Sequence, residues 1–154
     1  MKKLLAIVVL GLFLITPSWA DDISEFQIEG MSIGDNALDY FSKNQIEEDK
    51  VNYYKDNEFS VSLLSISNNI YDKVEIHYKI NEQKFILYGI SGIIFYKKKI
   101  QDCKKQQNRI ESDVSKMFKN TKKEINTSKH AGDKSGKSTT TTIYYNFNSG
   151  DRIH

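Results

Sequence analysis

The segment that most constrains the fold is a stretch of strict alternation between apolar and polar residues, Lys73–Ile80. Val74, Ile76, Tyr78 and Ile80 alternate there with polar side chains. Because successive side chains of a β-strand point to opposite faces of a sheet, this pattern predicts a half-buried antiparallel strand. Such a strand needs partner strands and a layer that covers its apolar face, so the chain must supply both.

Three other segments predict the partner strands. Phe59–Ser67 and Ser138–Phe147 are rich in apolar, β-branched and aromatic residues, as strands are. Phe85–Lys97 is a longer run of the same kind, and Gly89 and Gly92 within it indicate a bulge or a close backbone approach.

One long helix, over residues 100–119, is predicted as the covering layer. Apolar residues recur in this segment at helical spacing and form one stripe, which Gln107 interrupts. The stripe consists of Ile100, Cys103, Ile110, Val114, Met117 and Phe118. Residues 120–137 are polar and rich in Gly, Ser, Thr and Lys, so we expect a loop there. Residues 148–151 carry a turn signal.

Two capping boxes predict short helical segments near the start of the chain. Ser32 followed by Asp35 fits the first box, and a helical face over residues 33–41 follows it. Ser42 followed by Gln45 fits a second box, which predicts another short helical turn.

The N-terminal residues are typical of a secretory signal peptide, because two lysines precede a 12-residue apolar run, Leu4–Ile15, and the small residues Ser18 and Ala20 follow. A membrane anchor is the alternative, but a spanning helix needs about 18 or more apolar residues. We therefore expect cleavage between Ala20 and Asp21, and an exported, periplasmic or secreted chain. No cysteine follows the predicted cut to carry a lipid.

Together these patterns predict a single exported α+β domain over residues 21–154. It has a short N-terminal helix, an antiparallel sheet of about four strands, and the long helix 100–119 packed on one face. Three residues follow the last turn. Either the last strand is an edge strand or the sequence is a fragment that lacks a C-terminal strand.

Charge is distributed unevenly along the chain. Residues 21–96 carry a net charge of −8 and residues 97–137 a net charge of +8. The two halves either attract each other within the fold or face different partners. Lys104, Lys105 and Arg109 form the core of a basic helix face that could contact an anionic membrane surface or an acidic envelope protein, and a solvated helix face is the alternative. We expect no nucleic-acid partner, because the mature chain is neutral and exported.

Adjacent tyrosines, Tyr144 and Tyr145, point to opposite faces of the last predicted strand, so that one ring would be exposed for recognition. These two rings and the basic helix face are the candidate partner surfaces.

The segment Gly136-Lys137-Ser138 matches the end of a nucleotide-binding P-loop. The motif also requires a glycine five residues before Gly136, where Ala131 stands, and a helix that follows the loop. A threonine-rich strand is predicted instead. We therefore expect a surface loop over Gly132–Ser138, with no bound nucleotide.

Other residues that could carry chemistry do not form a recognisable motif. Cys103, the sole cysteine, lies in the helical stripe and is expected to be a buried core thiol, a reactive thiol being the alternative. His77, His130 and His154 lack metal-ligand spacing. The acidic run 47–49 lacks the spaced oxygens of a calcium loop. We predict no cofactor, no metal and no catalytic residue, although a triad assembled in space remains an alternative.

The segment Ile28–Asp35, continuing through Leu38-Asp39-Tyr40-Phe41, resembles the mature N-terminus of a group of small exported bacterial proteins of unknown function. The runs Gly92–Tyr96 and Gly132–Ser138 resemble later parts of the same pattern. This resemblance implies export and a chain that continues past the final turn, and it implies no activity.

A shorter likeness is carried by Gly30-Met31-Ser32 before a predicted helix. It is similar to the helix start of an outer-membrane assembly lipoprotein and of the β-lactamase-inhibitor fold. This chain departs from both, because its long helix follows three strands and no lipidated cysteine is present.

The sequence therefore predicts a non-enzymatic periplasmic binding or interaction module. A structural envelope component that contacts anionic lipid or an outer-membrane assembly partner is one alternative. An enzyme whose site assembles in space is the other.

Overall fold

The first sheet confirms the alternation of Lys73–Ile80. The computed structural model describes residues 22–55, 57–67, 70–97 and 99–154, so the predicted signal peptide and its cleavage site between Ala20 and Asp21 lie outside the described residues. Four antiparallel strands pair in the order β1-β2-β3-β4. Their bounds are Lys50–Val51 (β1), Phe59–Leu64 (β2), Lys73–Lys79 (β3) and Gly89–Ile93 (β4).

One face of this sheet is covered by the N-terminal segment. Val74, Ile76 and Tyr78 of β3 are buried, whereas the residues between them are half-buried. The covering side chains come from residues 28–46 and include Met31, Phe41 and Ile46. The apolar face that the sequence predicted for β3 is therefore covered by the start of the chain and not by the long helix.

The second capping box forms and the first does not. Ser42 and Gln45 exchange both bonds of the box at the start of α1, Lys43–Glu48. The Asp35 carboxylate does accept a hydrogen bond from the Ser32 amide (2.9 Å). However, Gly34 has a φ of +92°, a left-handed conformation that interrupts a regular helix. The helix predicted over residues 33–41 is therefore wrong, and a turn and a short 3-10 segment, Ala37–Asp39, stand in its place.

Strand β4 is shorter than the predicted strand Phe85–Lys97. Phe85 has a φ of +46°, which interrupts the extended backbone before β4 begins. Within β4, the backbone of Gly92 lies against the ring of Tyr71 so closely that a Cβ atom would overlap it. The close backbone approach predicted from the glycines is thus present at Gly92.

A second sheet is built by the C-terminal half, in the order β5-β6-β7. Its strands are Lys122–Lys129 (β5), Thr139–Asn146 (β6) and Arg152–Ile153 (β7). The loop predicted over residues 120–137 is wrong in its first part, because β5 pairs along its whole length with β6. Every residue of β5 is exposed, so no buried face marks it as a strand in the sequence.

The long helix, α2, spans Ile100–Met117 and packs on the second sheet. Val114 and the following Phe118 form one apolar cluster with Tyr145, Phe147 and Ile153. The predicted arrangement, one sheet with the helix across its face, is therefore corrected to two sheets with separate cores. Neither α-helix in the described part of the chain is both long and apolar enough to cross a membrane.

Phe26 joins the two cores. Its ring packs against the apolar cluster of each sheet, and it lies 6.3 Å from the ring of Phe118, centroid to centroid. The N-terminal segment therefore bridges the two halves of the fold with a single aromatic side chain.

Replacing this bridge should destabilise the whole protein. Phe26→Ala removes a half-buried ring that contacts both cores, so we expect the free energy of unfolding to fall by about 2–3 kcal/mol. Urea denaturation followed by circular dichroism measures the loss. Phe95→Ala is the control, because Phe95 is 59 % exposed and its removal should cost less than about 0.5 kcal/mol. Equal losses in the two variants would contradict the bridging role.

Candidate functional site: a cleft between the two sheets

A cleft of about 1060 Å³ lies between the two sheets and α2. Its walls come from β4, from the 103–114 face of α2, and from the 141–145 part of β6 with the C-terminal residues 150–154. This volume and a mostly apolar lining with a few polar groups are typical of ligand sites. The two sheets keep separate apolar cores, and residues of both line the cleft.

Two unpaired strand edges line this cleft. Strand β4 ends its sheet, so one of its edges has no partner strand among the described residues. Strand β7 pairs only with Tyr145 and Asn146 of β6, which leaves Thr139–Tyr144 without a described neighbouring strand on that side. Residues 89–92 of β4 and 141–144 of β6 both belong to the cleft wall. Backbone donors and acceptors on such edges can pair with another extended chain. On β6 the carbonyl oxygen of Thr141 already accepts from Gln107, so the other groups of that stretch are the ones available.

Helix α2 gives the cleft its third wall. Ile110 and the half-buried Cys103 line it, and the Gln107 amide donates to the carbonyl oxygen of Thr141 (3.3 Å). Gln107, which interrupts the apolar stripe of α2, thus holds the helix against β6 through this hydrogen bond. Cys103 lies on the cleft wall, half-buried, and so is less buried than the core thiol that the sequence predicted.

A polar tie fixes the position of α2 relative to the second sheet. The Tyr145 hydroxyl donates to the carbonyl oxygen of Glu111 (3.0 Å) and lies 2.7 Å from the Ser115 hydroxyl. The Glu111 carboxylate also forms an ion pair with Lys123 of β5. The Lys123 ammonium, followed by the Ser115 and Tyr145 hydroxyls, lowers the pKa of Glu111 below its usual range.

The two adjacent tyrosines have different places. Tyr145 is 4 % exposed and belongs to the core, so its ring does not form a partner surface. Tyr144 is half-buried and lines the cleft, with the Arg152 guanidinium 4.9 Å and the His154 ring 5.9 Å from its ring centroid. Of the predicted pair, Tyr144 is the ring that a ligand in the cleft could contact.

A hydrogen-bonded network that the sequence did not single out also borders the cleft. The Tyr54 hydroxyl is 2.8 Å from Nδ1 of His77, and Nε2 of His77 is 2.9 Å from the Glu75 carboxylate. Tyr54 and His77 line the cleft. Glu75 and His77 share the half-buried polar face of β3, so the Glu-x-His spacing on an alternating strand was the available signal.

Aromatic rings surround this network. Tyr53 and Phe59 each make an edge-to-face or tilted contact with the Tyr54 ring, and Phe59 contacts Tyr88 in turn. The Lys79 ammonium lies 4.9 Å from the Tyr88 ring centroid. These contacts hold Tyr54 in place although it lies in the connection between β1 and β2.

The basic residues of the predicted helix face lie outside the cleft. Lys104, Lys105 and Arg109 are exposed on α2, and none of them forms an ion pair with a described residue. By contrast, Lys116 on the same helix pairs with Asp113 at 3.5 Å. The structure does not bring the basic face together with Tyr144.

The Gly132–Ser138 segment is the tip of the β5–β6 hairpin. The Asp133 carboxylate accepts the backbone amides of Ser135 (2.9 Å) and Ser138 (2.7 Å). Hydrogen bonds from the side chains of Ser135 and Ser138, followed by these backbone bonds, hold the pKa of Asp133 well below its usual range. A strand follows the loop where a P-loop requires a helix, and backbone amides that could bind phosphate donate to Asp133.

Groups that could hold a metal ion are dispersed. Within the described residues, no three His, Cys, Asp or Glu side chains come together as potential ligands. His77, His130 and His154 lie in β3, in the hairpin tip and after β7. The acidic residues 47–49 are exposed at the end of α1.

Comparison of the chain with protein-family models, with curated proteins and with solved structures finds no match. The geometry of the cleft and of its side chains therefore carries the functional argument.

The Asp133 carboxylate should protect the amides of the hairpin tip. Asp133→Asn leaves one acceptor oxygen where the carboxylate offers two, so we expect faster hydrogen exchange at the Ser138 amide, measured by NMR. In the native protein this protection should persist below about pH 4, the ordinary pKa of aspartate, because the lowered pKa keeps Asp133 ionised there. Asp113→Asn, a matched change on α2, should leave Ser138 unaffected. Unchanged exchange in Asp133→Asn would contradict this role.

Proposed function

We propose that this protein is an exported binding module whose cleft takes an extended peptide segment. The observation that carries the proposal is that two unpaired strand edges, on β4 and β6, line one apolar cleft. An extended peptide offers backbone donors and acceptors on both of its edges. It is therefore the ligand class that such a cleft suits best.

The lining side chains suit alternate residues of such a peptide. Ile90 of β4, Ile110 of α2 and Ile143 of β6 all face the cleft. Because alternate side chains of a strand point to opposite sides, a bound peptide would place one set against these apolar residues. The backbone bonds would supply affinity, and the apolar contacts would supply selectivity for β-branched or aromatic residues.

Export is the second part of the proposal. It is supported by the lysines, the apolar run and the small residues of the first 20 positions, which are typical of a secretory signal. The resemblance of Ile28–Phe41 to small exported bacterial proteins points the same way. In the periplasm or outside the cell, the ligand would be a segment of an envelope or secreted protein in an extended state.

A pair of peptides that differ only in backbone methylation tests strand pairing. The probe is a fluorescein-labelled peptide of about eight residues with alternating valine and threonine, and its partner carries N-methyl groups on alternate residues. Methylation removes the donors of one edge and keeps the side chains. With two or more hydrogen bonds lost, we expect affinity to fall at least about tenfold by fluorescence anisotropy.

Equal binding of the two peptides would contradict strand pairing and would show that the cleft recognises apolar side chains alone. A second copy of the chain is the other possible occupant of the cleft. Sedimentation at two protein concentrations tests whether such a dimer forms. A dimer that excess peptide dissociates would support the pairing edges as the shared site, and a dimer that persists in excess peptide and binds none of it would contradict the proposed ligand.

A matched pair of isoleucine variants tests the place of binding. Ile110 is 41 % exposed on the cleft wall, and Ile125 is 63 % exposed on β5 outside the cleft. Ile110→Lys should weaken binding of the unmethylated peptide about tenfold, because the bound peptide would remove water from the lysine ammonium. Ile125→Lys should bind as the native protein does. Equal affinity of both variants would move the site away from the cleft.

A second candidate function is contact with an anionic membrane surface or an acidic assembly partner through α2. It is favoured by the exposure of Lys104, Lys105 and Arg109 and by their lack of ion pairs with described residues. Cations in this state are available to lipid phosphates, at about 1 kcal/mol for each residue near the surface.

Charge reversal tests this second candidate. We expect the triple change to Glu at Lys104, Lys105 and Arg109 to abolish cosedimentation with vesicles that contain anionic phospholipid at low salt. The control reverses Lys55, Lys84 and Lys134, which are exposed elsewhere, and thus has the same net charge. Equal losses in the two triple variants would indicate an effect of net charge and contradict a specific helix face.

A further inference from the structure

The hydrogen-bonded network of Tyr54, His77 and Glu75 beside the cleft has the arrangement of an activated hydroxyl. A carboxylate can only accept hydrogen bonds, so in the neutral imidazole Nε2 of His77 carries the proton and donates to Glu75 (2.9 Å). Nδ1 is then an acceptor, and the Tyr54 hydroxyl donates to it (2.8 Å). The order carboxylate, imidazole, hydroxyl is that of a nucleophile with its base and an orienting group.

The fold holds the imidazole rigidly in this network. The side chains of His77 and Glu75 are 17 % and 23 % exposed. Gly89 pairs with His77 across the sheet, and a Cβ atom at Gly89 would lie 3.1 Å from the imidazole ring. The imidazole ring therefore occupies space that a larger residue at Gly89 would fill. The Tyr54 ring contacts the imidazole edge-on, with 5.8 Å between the ring centroids.

We propose that Tyr54 is a nucleophile that accepts an acyl group from an ester presented in the cleft. The phenolic oxygen attacks the ester carbonyl, and its proton passes to Nδ1 of His77. The new bond joins the Tyr54 oxygen to the acyl carbon, and the bond from that carbon to the leaving oxygen breaks. The leaving alkoxide or phenoxide takes the proton from His77 and departs as the alcohol or phenol.

Glu75 is a positioning residue in this step. Its carboxylate holds the imidazole with Nδ1 towards Tyr54 and stabilises the imidazolium that forms when the proton arrives. Glutamine at this position would keep an acceptor for the Nε2 proton and lose the negative charge. The variant Glu75→Gln therefore separates charge stabilisation from simple placement of the ring.

The chain carries its own control in the neighbouring residue. Tyr53 lies beside Tyr54, is 67 % exposed, and its hydroxyl has no hydrogen bond to a described residue. Exposure alone would make Tyr53 the more reactive of the two. Activation by His77 predicts the opposite order.

The probe is p-nitrophenyl acetate, added to the full purified protein near neutral pH. Release of p-nitrophenol and peptide mass spectrometry measure acetylation at each tyrosine. We expect Tyr54 to be acetylated at least about a hundredfold faster than Tyr53, which is the lower end of the range that general-base catalysis supplies. Equal rates, or faster reaction at Tyr53, would overturn the proposal without the need of any variant.

Three variants test the roles of the partners. His77→Gln should reduce the Tyr54 rate to that of Tyr53, and Glu75→Gln should reduce it about tenfold while the urea midpoint stays unchanged. The control is Glu82→Gln, because Glu82 accepts the nearby Tyr88 hydroxyl (2.9 Å) outside the network. If His77→Gln keeps a fast Tyr54 while folded, the imidazole is not the base and the proposal fails. Peptide affinity is measured separately, so this outcome leaves the proposed binding function untouched.

Discussion

The contact of Phe26 with two apolar clusters sets the architecture on which the rest depends. Each sheet buries its own residues, so the two halves have no common core. Phe26 packs on both clusters, and the cleft lies where residues of the two sheets face each other outside those clusters. A larger shared core would have closed this space. The cleft is therefore a consequence of how little apolar surface joins the two halves.

How far the fold follows from the sequence depends on burial. Strand β3 was predicted because one of its faces is buried and its pattern records that face. Strand β5 was not predicted, because all its residues are exposed and its sequence therefore has no alternation of apolar and polar residues. Backbone pairing with β6 holds it in place. Helix α2 was predicted, but its stripe could not specify which sheet it covers. The helix packs on the second sheet because the Phe118 ring contacts the Phe147 ring, and these two residues are distant in the sequence.

The candidate site was harder to predict for the same reason. Glu75 and His77 are neighbours on one face of a strand, so their proximity is contained in the sequence. Tyr54 joins them from a connecting segment 23 residues before His77, and only the folded chain brings its hydroxyl to the imidazole. Conversely, Lys104, Lys105 and Arg109 were easy to recognise because charges on one helix need no tertiary contact to lie together.

The placement of the unpaired edges also bears on aggregation. Strand β5 has no partner among the described residues on its outer edge, and its exposed residues include Lys122, Glu124 and Lys129. Charged side chains on an edge strand oppose pairing with a second sheet. The unpaired edges of β4 and β6 belong to residues that line the cleft, so they lie beside α2 and not on the outer surface that β5 presents. An extended segment of the kind proposed as ligand would pair with these two edges and leave neither of them open to a second sheet, which is how edge-to-edge assembly begins.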